Sequence, residues 1–201
     1  MRTFLAIIFI ISATVKAGEC LVCIECKNST NPDCAGNEVT CGTCMTTVAE
    51  IDPKNGSSKS LSVEKTCNLN PEICNITYSI SGSKSRVRYT VKCCNTDLCN
   101  KEAPEVSPWN VTSTGLQCPA CYEPNAETCV ANTPVQCTGD ENRCLVFSGK
   151  FPQSGKCETI AFQGCASELV CNNFGYLYPD NALCPRGSLN CTTQTSSSYV
   201  S

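Results

Sequence analysis

Apolar and polar positions alternate in short runs along most of this chain. Arg86-Val87-Arg88-Tyr89-Thr90-Val91-Lys92 alternates strictly, with Val87, Tyr89 and Val91 on one side. That period predicts a strand with one half-buried face. Met45 to Ile51 and Leu61 to Lys65 are rich in β-branched residues and read the same way. Cys144-Leu145-Val146-Phe147 and Thr159-Ile160-Ala161-Phe162 repeat the theme further along. Asp52-Pro53-Lys54-Asn55-Gly56, Ser81-Gly82-Ser83 and Pro152-Gln153-Ser154-Gly155 punctuate these runs as turns. No long segment shows a helical period. The expectation is a set of antiparallel hairpins.

The two ends differ from the rest. Met1 and Arg2 precede an apolar run of ten, Phe4 to Ala13, interrupted only by Ser12, and Val15-Lys16-Ala17 places small residues where a leader is cleaved. Residues 1–17 read as a secretory signal peptide. The run is too short for a ~30 Å hydrocarbon core. After Cys191 come only Thr192 to Ser201, TTQTSSSYVS, with no apolar tail. The expectation is a secreted, extracellular product without a membrane anchor.

Cysteine changes the picture most. The chain has 201 residues, 21 of them cysteine and none histidine. That cysteine content marks a disulfide scaffold, and an export route makes bridges the default state. Without histidine there is no Ser-His-Asp triad, Cys-His pair or HEXXH zinc site. With 15 basic and 18 acidic residues there is no electrostatic case for nucleic acid.

The cysteines fall into two groups, Cys20 to Cys99 and Cys118 to Cys191, separated by Lys101 to Gly115. That stretch holds two prolines and has a linker's composition. The first group reads Cys23-x2-Cys26-x7-Cys34-x6-Cys41-x2-Cys44, then Cys67-x6-Cys74. The second reads Cys118-x2-Cys121-x7-Cys129-x7-Cys137-x6-Cys144, then Cys165-x5-Cys171. One small unit is present twice, and a unit of ~80 residues needs staples. The expected layout is a leader at 1–17, a first unit at 18–100, a linker at 101–115, a second unit at 116–192 and a tail at 193–201.

Cys93-Cys94-Asn95-Thr96-Asp97-Leu98-Cys99-Asn100 closes the first unit. This CC-x4-CN ending, after an opening C-x2-C, resembles the LU domain of the urokinase-receptor and lymphocyte-antigen families. The resemblance covers roughly residues 20 to 192. It implies an all-β, disulfide-rich fold of two tandem three-finger domains. The two-unit layout with a leader and no anchor is similar to gamma-type phospholipase A2 inhibitors and to sodefrin-precursor proteins.

The family's connectivity implies bridges Cys23–Cys44, Cys26–Cys34, Cys41–Cys67, Cys74–Cys93 and Cys94–Cys99 in the first unit. In the second it implies Cys118–Cys144, Cys121–Cys129 and Cys137–Cys165. The second unit departs from the family by lacking the CC-x4-CN ending and by carrying Cys157. There Cys171–Cys191 with Cys157–Cys184 is one pairing, and Cys171–Cys184 is the alternative. Cys20 is left over. It either links molecules, stays a free thiol, or competes with the evenly spaced Cys23 and Cys26.

Other chemistry is weakly signalled. Cys41-Gly42-Thr43-Cys44 and Cys118-x2-Cys121 match metal or redox spacing, but the repeat explains them without metal or cofactor. Glu158 and Asp140-Glu141 read as solvated surface carboxylates rather than a catalytic pair. Lys84, Arg86, Arg88 and Lys92 form either a basic row that steers an acidic partner or the wet side of a sheet. Five sequons, at Asn28, Asn55, Asn75, Asn110 and Asn190, are glycan candidates.

Non-catalytic binding is what remains. The resemblance implies a secreted or cell-surface protein partner, with a phospholipase A2 as first choice, and it leaves room for a homo-oligomer. The alternative is a pheromone or signalling ligand of the sodefrin-precursor type. The candidate contacts are the finger tips Asp52 to Ser58, Tyr78 to Ser85 and Gly149 to Gly155.

Overall fold

A computed structural model describes residues 20–153, 156–177, 184–185 and 187–193. The expected leader, the tail beyond 193 and the turn at Ser154-Gly155 lie outside the described residues.

Six strands form the first unit: β1 (Leu21–Ser29), β2 (Asn37–Cys41), β3 (Cys44–Pro53), β4 (Ser60–Cys67), β5 (Ile76–Ser81) and β6 (Ser85–Cys94). All pairings are antiparallel, in the order β5-β6-β3-β4-β1-β2. Period-2 patterning explains the choice of face. Cys44, Thr46 and Val48 of β3 are buried, and Val63 of β4 is buried across from Val48. Gly36 is required by close approach: a Cβ there would lie 1.9 Å from the Glu25 carbonyl oxygen.

The second unit holds β7 (Ser113–Pro124), β8 (Thr133–Thr138), β9 (Glu141–Gln153), β10 (Lys156–Ser167), α1 (Glu168–Leu177) and β11 (Ser188–Thr192). Strand β9 lies between β10 and β11, and β7 joins β10 to β8. The helix α1 departs from the expectation of strands alone. Asn172-Asn173 and Gly175 are poor helix formers, and Asn173 leaves helical geometry at φ −118°, so the period is masked. Packing sustains the helix instead. Val170 is fully buried, and the Asn142 side-chain oxygen accepts from the Glu168 N–H.

Ten disulfides cross-link the described residues. The first unit holds Cys23–Cys44, Cys26–Cys34, Cys41–Cys67, Cys74–Cys93 and Cys94–Cys99. The second holds Cys118–Cys144, Cys121–Cys129, Cys137–Cys165, Cys157–Cys184 and Cys171–Cys191. Two matching knots result: Leu21, Cys23, Cys41 and Cys44 in one unit, and Cys118, Cys137, Cys144 and Cys165 in the other. A third cluster joins Tyr78 and Val91 of the first unit to Leu145, Ala166 and Val170 of the second. The apolar core therefore crosses the boundary between the repeats.

Candidate functional site

The sheet does not stop where the repeats meet. One edge of β10 pairs with β7 through Ile160 to Gln163, and then with β5 through Cys165 and Ala166. An edge strand of the first unit is thereby covered by the second. Gly164 makes this approach possible, because a Cβ there would sit 2.1 Å from the Ser81 carbonyl oxygen.

Small polar side chains complete the joint. The Ser79 N–H donates to Ser167 Oγ at 2.6 Å. Ser79 Oγ and Ser167 Oγ both donate to the Asp140 carboxylate, at 2.7 and 2.8 Å. Ser81 Oγ donates to Glu141 Oε1, and the Thr138 N–H reaches Glu141 Oε2 at 3.0 Å. Glu141 is only 1% exposed. Burial pushes its carboxyl above the ordinary range, opposed by the Ser81 and Thr138 hydrogen bonds and by the Lys54 charge. The expectation that Asp140-Glu141 are simply solvated is corrected for Glu141, since a hydroxyl and an amide take the place of water. Asp140 stays exposed while bonding both serines. Glu158 is half-buried on β10.

The stretch between the units is docked rather than loose. Trp109 lies against both Arg86 and Arg88, each guanidinium carbon 4.7 Å from the ring centroid. Arg88 Nη1 donates to the Pro108 carbonyl at 3.0 Å, and Nη2 to that of Ser107. Ala103 and Val106 pack on Cys34, Val48 and Val63. Lys65, fully buried, donates to the Lys101 carbonyl, and burial lowers its pKa.

These contacts correct the basic-row reading. Arg86 is paired with Asp52 at 2.8 Å and Arg88 with Glu50, so neither is a free cation. Only Lys84 and Lys92 of that row face solvent. The finger tips are sorted in the same way. Lys54 to Leu61 is exposed throughout. Tyr78, Ser79, Ser81 and Gly82 are buried, so Tyr78 to Ser85 is mostly seam rather than tip. Gly149 is tucked against Gly187, where a Cβ would come within 2.6 Å of the Gly187 Cα.

The cysteines of both metal-spaced pairs are bridged, as are the sulfur clusters Cys44-Cys94-Cys99 and Cys118-Cys137-Cys165. A bridged sulfur is not a thiolate and makes a poor metal ligand. Cys20 is exposed and unbridged. Among the sequons, Asn55, Asn75, Asn110 and Asn190 are exposed, and the Asn28 side chain lies outside the described residues. Asn55 and Asn110 each accept, at 3.0 Å, from the N–H of their own sequon Ser57 or Thr112. No described helix is long and apolar enough to cross a membrane.

Comparison with known proteins adds a lineage to this geometry. The u-PAR/Ly-6 domain matches residues 19–102 and again 114–181. A phospholipase A2 inhibitor of the gamma type from Laticauda semifasciata is 31% identical over 165 residues, spanning 78% of this chain and 85% of that protein. Ly6/PLAUR domain-containing protein 8 of Bos taurus is 26% identical over 185 residues, spanning 87% and 77%. Among solved structures, mouse TEX101 is 17% identical with a TM-score of 0.37, covering 88% of this chain and 98% of that one.

Proposed function

This chain belongs to the u-PAR/Ly-6 domain family, and from that premise we propose that it is an extracellular binding protein that restrains a phospholipase A2 by contact, without catalysis. One observation carries the reading. The 31% match to a gamma-type inhibitor runs through both units and takes in 85% of that protein. Cross-linked hairpins present a surface that is ordered before binding, so little conformational entropy is lost on contact. The joint adds to this by holding two units as one sheet.

The reading includes a leader at 1–17, units at 18–100 and 116–192 around the docked stretch 101–115, and glycans on exposed sequons. Of the expected tip Asp52 to Ser58, the part from Lys54 onward, continued by Lys59 to Leu61, is the proposed contact, because that run is exposed at every position whereas Asp52 and Pro53 are half-buried.

The test is an inhibition assay with purified, fully bridged protein against several secreted phospholipases A2 on vesicles. Turnover of at least one should fall to a saturating minimum near equimolar inhibitor. Replacing Asn55 to Ser60 by a Gly-Ser loop should raise the concentration needed by about tenfold or more. Unchanged turnover of every enzyme at a large molar excess refutes the reading.

A further inference from the structure

A half-open cavity of about 140 Å3 lies where the two units meet. Its walls come from both. Ile80 and Tyr89 are supplied by β5 and β6, Phe147 by β9, Phe162 by β10 and Phe174 by α1. Phe147 meets Phe174 edge to face at 5.7 Å, so two of these walls pack against each other. Tyr89 is braced from behind by stacking on Tyr78 at 4.8 Å. Among the described lining residues only Tyr89 has a side chain that carries a polar atom.

We propose that this cavity is a binding site for a neutral, apolar small molecule the size of one aromatic ring. Size and wall chemistry select this class. An enclosed apolar cavity of about 150 Å3 takes up a guest such as benzene, and this one, though open on one side, is of that size and is lined by apolar side chains. A hydroxyl or charge pressed against these walls would lose part of its water, and among the described lining residues only Tyr89 carries a polar side-chain atom that could replace it. The aromatic walls offer a ring guest edge-to-face contact beyond simple burial. Because the walls belong to both units, a guest strengthens the joint as well as filling a void. The site is independent of what the exterior grips.

The experiment titrates the full, bridged protein with toluene and follows its melting temperature, with phenol and cyclohexane as comparison probes. Toluene should raise the midpoint saturably, cyclohexane should do so as well, and phenol should bind about tenfold more weakly. Val87→Phe and Leu189→Phe each add bulk to the lining and should abolish the toluene shift. Magnetisation transfer from toluene to the Phe147 and Phe162 ring protons reads the same contact in the unaltered protein. It decides the matter should neither filled variant fold. The proposal is overturned by a non-saturable shift, by phenol binding as well as toluene, by an undiminished shift in both folded variants, or by absence of that transfer.

Discussion

Gly164 lies against the carbonyl of Ser81, at a distance that leaves no room for a single added carbon. The contact holds β5 of the first unit on β10 of the second. Gly164→Ala should therefore push the strands apart and cost ~1–3 kcal/mol. Hydrogen exchange localises the effect. Amides at the β5–β10 seam should exchange faster, while those between β3 and β6 keep their protection. Uniform protection in the variant contradicts this account of the joint.

Glu141 makes the joint sensitive to pH in a defined direction. Its folded carboxyl is raised above the ordinary value, chiefly by burial, with Lys54 and the Ser81 and Thr138 hydrogen bonds opposing and Asp140 reinforcing. The folded state therefore holds its proton longer than the unfolded chain does. This stabilisation is complete below the ordinary carboxylate range and is lost as pH rises through the raised value. Denaturant unfolding across that window should show stability declining with pH, and Glu141→Gln should flatten the decline.

Arg88 and Arg86 look equivalent in sequence but should differ on removal. Arg88, 10% exposed, serves Glu50 and the carbonyls of Ser107 and Pro108. Arg88→Met leaves all three short of a partner and should cost ~3 kcal/mol. Asp52, the partner of Arg86, has Lys59 at 3.9 Å in reserve. Arg86→Met should cost clearly less, ~1 kcal/mol. Thermal denaturation ranks the pair, and limited proteolysis should open residues 101–112 first in the Arg88 variant.

Cysteine chemistry gives two contrasting outcomes. Alkylation of unreduced protein should label one thiol per chain, at the exposed Cys20, and Cys20→Ser should melt unchanged. Replacing Cys171 and Cys191 together by alanine should cost ~2–4 kcal/mol. It should also loosen α1, read as lost helical signal. Several labelled sites in native protein would contradict the bridge set.

Much of the fold is legible in the chain itself. Strict alternation in Arg86 to Lys92 and the β-branched run in Met45 to Ile51 mark β6 and β3, which pair with each other. Cysteine spacing exposes the duplication, since it repeats over almost the same intervals. The helix is hidden by Asn172, Asn173 and Gly175, whose local preferences oppose it until Val170 is buried. The joint is hidden for a different reason. Ser79, Ser81, Gly164 and Ser167 carry no pattern of their own, and they acquire a role only when strands far apart in sequence become neighbours. Glu141 reads as a surface acid for the same reason, because its hydrogen-bonding serine lies 60 positions away. Trp109, flanked by Pro108 and the sequon Asn110, gives no sign that two arginines await it.

The shared flank of β10 has a consequence for exchanging parts between relatives. A hybrid that keeps the second half but borrows a foreign first half also inherits a new neighbour for Gly164. Unless the donor strand carries small hydroxyl residues opposite Asp140 and Glu141, it strands an acid in the dark and leaves a ribbon without company. The halves must be transplanted together, or the matching serines must travel with them.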